Sequence, residues 1–463
     1  MKEFDVVVIG SGPGGYTTAI RASQLGFKTA IIERDRLGGI CLNWGCIPTK
    51  ALLKNAELMN GIKHLDNYGI TVENVKFDFE KIIARSRGVA DTSEKGVKYL
   101  MKKNKIEIFE GSGFINKDKS ITVTGKDGKE AETLKSGYTI IATGARAKQL
   151  GDLKFDEKKV LSSTGAMILN ELPKKMTIVG SGAIGVEFAY FYNAFGTEVT
   201  VIEMLPNIMP VEDKDISDVV AREFKKSGIK ILTETKTESV EFKGGKVTTK
   251  VSGKNTEDII SDVVLVAIGV TGNVENLGLE ELGVTVEKGS IRVDKDYKTN
   301  VEGIYAIGDV NGPPWLAHVA SSEGINCVEK IKGMHIPDID YNNIPGCTYC
   351  QPQVASVGLT EKKALEQGYE LNIGKFPYSA SGKSRALGET VGMVKVIFDK
   401  KYDELIGAHI VGIEATEMIT EFVLAKSLEA THEQILKTIH AHPTLSEANM
   451  EAVGVAYGEA INI

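Results

Sequence analysis

The order of apolar and polar positions at the start of the chain predicts a strand, a tight turn and a helix. Residues 4–9 form a largely apolar run, as a buried strand of a parallel sheet requires. The glycine pattern G-x-G-x-x-G follows at residues 10–15, and a helical stretch then leads to an apolar run at residues 29–32 that ends at Glu33. Strand, glycine turn, helix, strand and acid are the successive parts of a dinucleotide-binding unit.

Each part of this unit has a physical task in binding a dinucleotide. Gly10 permits the tight turn, Gly12 lets a phosphate approach the backbone, and Gly15 allows close packing of the helix. The free N–H groups and the dipole at the helix N-terminus attract a pyrophosphate. Glu33 can accept hydrogen bonds from a ribose 2′-hydroxyl.

The same pattern recurs in the middle of the chain. An apolar run at residues 176–179 leads into G-x-G-x-x-G at residues 180–185, and a later run at residues 198–202 ends at Glu203. The first glycine and the strand-end acid are 23 residues apart in both copies. Two such units predict one site for FAD and one for a nicotinamide cofactor. Because the carboxylate of Glu203 accepts from a free 2′-hydroxyl and repels a 2′-phosphate, NAD is favoured over NADP.

Three further apolar runs end in a residue suited to a ligand site. Residues 140–144 and 263–269 each end in glycine, and residues 303–309 end in Asp309. The carboxyl ends of parallel strands form the ligand crevice of a doubly wound sheet. Asp309, taken alone, could equally cap a helix.

The pattern changes from about residue 346. Alternating strand-like runs occur at residues 353–358 and 391–398, and a long helix is predicted over about 414–429. These segments predict a separate α+β domain at the end of the chain.

Composition and charge exclude several classes of protein. The 463 residues correspond to about three domains at roughly 150 residues each. The net charge of −7 and the lack of a basic tract disfavour nucleic-acid binding, and no apolar run reaches the roughly 18 residues that a membrane span needs. The chain enters a strand at once without a signal or transit peptide, so we expect a reducing cytoplasm, or a mature form in the mitochondrial matrix. Five cysteines are too few for a disulfide scaffold.

Two cysteines lie close together shortly after the first glycine pattern. A structural disulfide between Cys41 and Cys46 would close a very short loop and stabilise little, because loop-closure entropy grows with loop length. Beside a dinucleotide site, such a pair indicates a disulfide that cycles during turnover. Pro48 fits the first turn of a helix, whose positive end would favour a thiolate at Cys46. Lys50, one helical turn after Cys46, could stabilise a thiolate or a reduced flavin anion, or it could be a solvated lysine.

Further candidate groups lie in the last third of the chain. His442 and Glu447 could form a general base held by a carboxylate, although an exposed histidine is common. Cys347 and Cys350 form a C-x-x-C pair that is a second redox pair, half of a zinc site, or two small semi-buried thiols. The last interpretation is favoured because no nearby His/Cys pair completes a zinc site. Cys327 lies in a helical stretch and is expected in the core.

Taken together, these motifs resemble those of the flavin disulfide oxidoreductases, and among them the dihydrolipoamide dehydrogenases. The resemblance covers the whole chain. The segments that carry it are residues 10–15, 39–50, 180–203, 306–309 and 440–447. The chain departs from many members of the family at Cys347 and Cys350, which leaves a regulatory oxidation open.

The resemblance implies a fold class and a division into domains. The fold class is α/β, with two Rossmann-like FAD/NAD(P)-binding domains plus a C-terminal α+β dimerisation domain. The predicted domains are residues 1–147 for the first part of the FAD-binding domain, 148–271 for the NAD-binding domain, 272–345 for a central domain that completes the FAD site, and 346–463 for the interface domain.

The resemblance also implies roles for individual residues. Cys41 would be the interchange thiol that meets lipoamide, and Cys46 would be the thiol that faces the flavin. Lys50 would lie near the reactive flavin nitrogen, paired with Glu187, and Asp309 would hold the flavin ribityl chain. The residues predicted to contact FAD are Gly10, Gly12, Gly14, Gly15, Glu33, Lys50, Gly113, Thr143, Gly144, Asp309, Ala317 and His318. The residues predicted to contact NAD are Gly180, Gly182, Ile184, Gly185, Glu187, Glu203 and Gly269.

The implied reaction is the oxidation of protein-bound dihydrolipoamide to lipoamide, with NAD⁺ as acceptor, through a redox disulfide and FAD. His442 of the partner subunit, oriented by Glu447, would be the base, so a homodimer is expected. The implied partner is the lipoyl-bearing subunit of a 2-oxo acid dehydrogenase or glycine cleavage complex. The alternatives are a glutathione or mercuric reductase, which Glu203 disfavours, a redox sensor built on Cys347 and Cys350, and a zinc protein built from the cysteines.

Overall fold

The strand, helix and strand that the first apolar runs predict are present at residues 2–33. A computed structural model describes residues 1–463, apart from the side chain of residue 243. The strands are β1 (Lys2–Ile9), β2 (Thr29–Glu33), β3 (Glu107–Glu110), β4 (Ser112–Ile115), β5 (Ile121–Thr124), β6 (Glu130–Ile141), β7 (Ala145–Ala147), β8 (Val160–Leu161), β9 (Lys175–Val179), β10 (Glu198–Ile202), β11 (Lys230–Leu232), β12 (Thr235–Lys243), β13 (Lys246–Gly253), β14 (Asp258–Ser261), β15 (Val263–Val266), β16 (Val270–Gly272), β17 (Val286–Glu287), β18 (Ser290–Ile291), β19 (Ile304–Ala306), β20 (Gly346–Thr348), β21 (Gln353–Gly358), β22 (Leu371–Pro377), β23 (Met393–Asp399) and β24 (Glu404–Gly412).

Most of the helices lie between these strands, and the last three follow β24. The α-helices are α1 (Pro13–Gln24), α2 (Gly39–Asn43), α3 (Cys46–Ile62), α4 (Phe79–Lys103), α5 (Ser163–Ala166), α6 (Ala183–Ala194), α7 (Lys214–Lys226), α8 (Leu279–Leu282), α9 (Ala317–Ile331), α10 (Glu361–Glu366), α11 (Gly382–Leu387), α12 (Ala415–Ser427), α13 (His432–Lys437) and α14 (Glu447–Tyr457). Short 3₁₀ helices lie at Leu65–Tyr68, Gly308–Asn311, Tyr341–Asn343 and Tyr378–Ala380.

The chain forms two units, each assembled from three segments. The first unit contains residues 1–52, 78–148 and 269–339, and the second contains residues 53–77, 149–268 and 340–463. The division into four domains that the sequence analysis expects stays a prediction.

The first unit is built on a doubly wound sheet. Its strands follow the order β3-β2-β1-β6-β5-β4, with β19 beside β6. The strands β3, β2, β1, β6 and β19 run parallel, whereas β4 and β5 are antiparallel. Both faces of β1 are buried, which explains its apolar run: Val6 and Val8 pack with residues of α1, α4 and α9, and Val7 and Ile9 pack with residues of β4 and β5.

The second unit contains a second parallel sheet in the order β11-β10-β9-β15-β8. Its face is covered by the antiparallel strands β12, β13 and β14, from which Val247, Val251 and Ile259 pack against Val179 and Val264. This repetition of the fold of the first unit confirms that the chain contains two Rossmann-like sheets.

The end of the second unit is an antiparallel sheet in the order β20-β21-β24-β23-β22. The helices α12, α13 and α14 bury apolar side chains on it, including Phe422, Ile435 and Val453. The predicted α+β domain is therefore confirmed in its fold class. Its long helix is slightly shorter than the predicted 414–429, and β15 ends at Val266 rather than at residue 268. Among the residues described, no helix has the length and hydropathy that a membrane crossing requires.

Candidate active site

The first glycine turn joins β1 to α1. Gly10 has a φ of 103°, and a Cβ on it would lie 2.3 Å from the carbonyl oxygen of Ala142. A Cβ on Gly15 would lie 2.0 Å from the carbonyl oxygen of Gly10, so no other residue allows α1 to approach β1 this closely. A Cβ on Gly12 would meet nothing within 4 Å, which leaves open space beside the N-terminus of α1 for a ligand.

The turn between β9 and α6 repeats this geometry. A Cβ on Gly180 would lie 2.4 Å from the carbonyl oxygen of Ala267, and one on Gly185 would lie 2.0 Å from the carbonyl oxygen of Gly180. A Cβ on Gly182 again meets nothing within 4 Å, and the side chain of Ile184 is 37% exposed. The space for a phosphate is therefore present in both copies.

The two strand-end acids are held by the same pair of hydrogen bonds. Glu33 Oε2 accepts from the backbone N–H and the hydroxyl of Ser11, at 2.9 and 2.6 Å. Glu203 Oε2 accepts from the same two groups of Ser181, at 3.1 and 2.7 Å. Sequence reasoning missed these serines, although the signal was present, because serine is the second residue of the glycine pattern in both copies. Each serine fixes its carboxylate beside the glycine turn, where a ribose would lie next to a pyrophosphate.

A cleft of about 370 Å³ opens at the carboxyl ends of the strands of the first unit. The predicted residues on its lining are Gly10, Gly12, Gly14, Glu33, Cys41, Cys46, Gly113, Thr143, Gly144, Asp309 and Ala317. Gly15 lies beneath the turn, His318 is exposed, and Lys50, like these two residues, is not on the lining. An open glycine turn, a helix N-terminus and a fixed carboxylate fit the pyrophosphate and ribose of FAD.

The two cysteines lie in this cleft on successive helices. Cys41 is half-buried in α2, and the exposed Cys46 is the first residue of α3, as predicted. Both side chains carry thiols in this structure. A hydrogen bond with Cys46 raises the pKa of the Cys41 thiol, burial raises this pKa further, and the charge of Lys50 opposes both effects. The two thiols are therefore within hydrogen-bonding distance of each other.

Asp309 lies in the 3₁₀ helix that follows β19. Ile307 is the N-cap of that helix, so Asp309 is not a capping residue. Burial and the nearby charge of Glu323 raise the pKa of Asp309 to about 6. Glu323 is 3% exposed and accepts from the backbone N–H of Gly308 at 2.7 Å. Sequence reasoning missed Glu323, because only the packing of α9 against this turn brings it there.

His442 and Glu447 form the predicted pair. Glu447 Oε1 lies 2.8 Å from His442 Nδ1, and Glu447 Oε2 accepts from the backbone N–H of Thr444 at 2.7 Å. Burial works against ionisation, but these two hydrogen bonds hold the pKa of Glu447 below its usual range. The His442 side chain is 79% exposed in the single chain. His440, in contrast, is buried at 6% exposure and bonds to Glu421 at 2.7 Å, in keeping with a role in packing.

Glu187 lies on α6 in the second unit and is 5% exposed. Its Oε1 accepts from the backbone N–H of Tyr349 at 3.0 Å, across 162 residues of sequence. Gly269 follows β15 with a φ of 108°. The pairing of Glu187 with Lys50 stays a prediction.

The remaining cysteines are not on the lining of the cleft. Cys347 is half-buried on β20, and Cys350 is fully buried, with its Sγ 3.3 Å from the carbonyl oxygen of Pro352. Cys327 lies in the core on α9, as expected. The described part of the chain holds no group of three or more His, Cys, Asp or Glu side chains placed to bind a metal ion.

Comparison with known proteins defines the class to which this fold and site belong. The family model described as pyridine nucleotide-disulphide oxidoreductase matches residues 4–324, and the dimerisation domain of that family matches residues 344–453. The chain therefore belongs to the pyridine nucleotide-disulphide oxidoreductases, as its motifs indicate. Membership implies FAD and NAD(H) as cofactors, and the second match supports a homodimer.

Several relatives of known name match the chain over its whole length. The dihydrolipoyl dehydrogenase of Rhizobium etli is 50% identical over 100% of this chain and 99% of that protein. The dihydrolipoyl dehydrogenase of Zymomonas mobilis is 48% identical over 99% of both chains. The mitochondrial dihydrolipoyl dehydrogenase of Pisum sativum is 42% identical over 100% of this chain and 93% of that protein.

Solved structures share the fold. LpdA from Mycobacterium tuberculosis matches with a TM-score of 0.91 and 24% identity over 98% of this chain and 99% of that one. The HOCl-induced flavoprotein disulfide reductase RclA from Escherichia coli matches with a TM-score of 0.86 and 27% identity over 97% of this chain and 99% of that one.

Proposed function

We propose that this chain oxidises protein-bound dihydrolipoamide to lipoamide, with FAD as its bound cofactor and NAD⁺ as the electron acceptor. The observation that carries the proposal is the contact between Cys41 and Cys46 inside a cleft whose glycine turn fits FAD. The names of the relatives that match the full chain supply the substrate. When bound, FAD supplies the two-electron chemistry that joins thiol exchange to hydride transfer.

The cysteine pair performs the thiol exchange. A substrate thiolate attacks Cys41 of the oxidised pair, which forms a mixed disulfide and releases the sulfur of Cys46 as a thiolate. The second thiol of the substrate then attacks the other substrate sulfur, which is bonded to Cys41 in the mixed disulfide. This step releases lipoamide and leaves Cys41 reduced. One S–S bond breaks and one forms, so two electrons pass from the substrate to the pair. The N-terminus of α3 stabilises the thiolate of Cys46.

His442 of the partner subunit is the proposed base that takes the proton from the substrate thiol. Glu447 orients the ring through Nδ1 and balances the charge that the ring gains. Two facts support a base shared between subunits: the side chain of His442 is 79% exposed in the single chain, and both residues fall within the match to the dimerisation domain.

Each of the two glycine turns is assigned one cofactor. We assign FAD to the turn at Gly12, because that turn shares its cleft with Cys41 and Cys46, and NAD⁺ to the turn at Gly182. Lys50 acts on Cys41 by its charge, and Asp309, on the lining of the cleft, would accept a hydrogen bond from a ribityl hydroxyl. Glu203 excludes a 2′-phosphate by charge repulsion.

The substrate arrives on another protein. We propose the lipoyl-bearing subunit of a 2-oxo acid dehydrogenase or glycine cleavage complex as that partner, which rests on the resemblance to dihydrolipoamide dehydrogenases. We also propose a reducing compartment, the bacterial cytoplasm or the mitochondrial matrix, because the relatives include bacterial proteins and a mitochondrial plant protein.

Steady-state kinetics tests this proposal. The purified dimer should reduce NAD⁺ with dihydrolipoamide as donor, and the value of kcat/KM with NADP⁺ should be lower by at least about 100-fold, because the carboxylate of Glu203 faces the extra phosphate. Cys46→Ser should keep the yellow colour of FAD and lose turnover. Cys347→Ser is the matched control and should keep both. Full dihydrolipoamide turnover by Cys46→Ser, or a preference for NADP⁺, would contradict the proposal.

A further inference from the structure

Trp44 lies between the two reactive cysteines in the sequence. Its side chain makes a hydrogen bond and a cation–π contact. The half-buried indole lines the same cleft as Cys41 and Cys46. Its Nε1–H donates to Asp35 Oδ2 at 3.2 Å. The guanidinium carbon of Arg87 lies 4.3 Å from the centroid of the indole, where the negative face of the ring attracts the cation. The N–H group of the indole and the face of its ring are therefore both held by contacts.

Arg87 is one of three consecutive residues on α4 that donate hydrogen bonds to the cysteine segment, residues 41–51. Arg85 and Ser86 donate to backbone carbonyl oxygens of α3, at 2.9 and 2.8 Å. Arg87 donates to the carbonyl oxygen of Asn43 at 2.5 Å. Arg87 therefore holds the backbone directly before Trp44 and the ring of Trp44 with one guanidinium group.

The other contact of Trp44 leads to the carboxylate assigned to the FAD ribose. The backbone N–H of Asp35 donates to Glu33 Oε1 at 2.8 Å, and Glu33 Oε2 is fixed by Ser11. Asp35, which accepts from the indole N–H, thus lies in the loop that follows β2. Trp44 joins this loop and α4 across the segment that carries both sulfurs.

We propose that Trp44 is a positioning residue that sets the redox equilibrium of the Cys41–Cys46 pair. Held between Arg87 and Asp35, the segment keeps one conformation in the dithiol state, so closing the disulfide costs little additional conformational entropy. Removing this restraint frees the segment in the dithiol state. The disulfide then forms less favourably, and the pair becomes more oxidising. The inference rests on the proposed function, which requires that this pair form a disulfide.

A thiol–disulfide titration of the FAD-bound dimer tests the inference without turnover. The protein is equilibrated anaerobically with dithiothreitol and its cyclic disulfide at a series of ratios. In each exchange one S–S bond breaks and one forms, and two electrons and two protons pass between dithiothreitol and the protein pair. Acid quenching, alkylation and mass analysis of the peptide that contains Cys41 and Cys46 give the equilibrium constant for disulfide formation.

Three variants and one control separate the contacts of Trp44. Trp44→Leu removes both contacts and should lower the equilibrium constant about tenfold, which is about 30 mV. Arg87→Met removes the cation and the bond to the backbone and should have a similar effect. Trp44→Phe keeps a ring for Arg87 and loses only the N–H, so a decrease of about threefold is expected. Tyr99→Leu, an exposed aromatic residue on the same helix, should change nothing.

The FAD content of each variant establishes that it has folded. If Trp44→Leu fails to retain FAD, Arg87→Met and Trp44→Phe carry the comparison. Equilibrium constants of Trp44→Phe and Arg87→Met within about 1.5-fold of that of the Tyr99→Leu control would overturn the inference while leaving the proposed function intact. A pair that forms no disulfide at any ratio in the unaltered protein would overturn the proposed function together with the inference.

Discussion

Replacing Gly15 by alanine should weaken the binding of FAD, whereas replacing Gly185 by alanine should weaken the binding of NAD⁺. In either variant the new methyl carbon would lie 2.0 Å from a carbonyl oxygen, that of Gly10 in one copy and that of Gly180 in the other. Heavy atoms in contact lie about 3.5 Å apart, so the start of the helix must move by about 1.5 Å. Overpacking of this kind costs about 1–3 kcal/mol of stability. The displaced atoms carry the N–H groups that would meet the pyrophosphate.

The expected result is a different loss in each variant. Because a misplacement of about 1 Å can reduce the activity of a site about 100-fold, Gly15→Ala should purify with little FAD and rebind it at least about 100-fold more weakly. Gly185→Ala should purify yellow, with a KM for NAD⁺ raised by a similar factor. FAD is measured by absorbance and by quenching of its fluorescence on reconstitution, and NAD⁺ is measured by steady-state rates with dihydrolipoamide.

Gly61→Ala is the matched control, because this glycine lies in α3 and a Cβ on it meets nothing within 4 Å. It should keep both cofactors. The assignment of the two turns would be refuted if Gly15→Ala retained as much FAD as the control, or if Gly185→Ala lost FAD while keeping its affinity for NAD⁺.

Three further variants and one control test individual groups. Glu447→Gln should lower kcat about tenfold with FAD content unchanged, because the carboxylate that orients His442 and balances its charge is lost; an unchanged kcat would count against the pair. Because burial raises the pKa of Asp309 to about 6, its ionisation destabilises the FAD-free fold as the pH rises from about 4 through 6. Asp309→Asn should therefore stabilise the FAD-free protein by up to about 3 kcal/mol at pH 8, with a gain that shrinks towards pH 4, and urea unfolding at both pH values measures this; a gain that does not depend on pH would contradict the cause given. Lys395 is 1% exposed and contacts three carboxylates at 2.7 Å, so Lys395→Met should cost about 3–5 kcal/mol in urea unfolding. Lys375→Met, at a side chain that is 43% exposed, should cost less than about 1 kcal/mol. Equal losses of unfolding free energy in the two lysine variants would refute the expectation that the buried lysine contributes more.

The sequence predicts those parts of the site whose geometry is local. The turn from β1 into α1 is determined by glycines within six residues, and its repetition at residues 180–185 makes the interpretation specific. The pair of His442 and Glu447 also joins residues close in sequence, and the structure brings the two together at 2.8 Å.

Contacts between distant segments could not be predicted in this way. Glu323 reaches the turn of Asp309 only because α9 packs there, and the contact of Glu187 with Tyr349 spans 162 residues. The position of Arg87 over the ring of Trp44 likewise depends on how α4 lies along the cysteine segment. No local spacing encodes these contacts, because they follow from the packing of elements that are apart in the chain.

The central claim is that electrons from dihydrolipoamide enter the protein at Cys41 and Cys46 and leave on NAD⁺. One equivalent of dihydrolipoamide, added anaerobically to the oxidised, FAD-bound dimer, should create two new alkylatable thiols per chain, both on the peptide that contains this pair. Addition of NAD⁺ should then remove these thiols and yield one NADH per chain. New thiols at Cys347 and Cys350 instead, or NADH formed while Cys41 and Cys46 stay unreactive to alkylation throughout, would contradict the account.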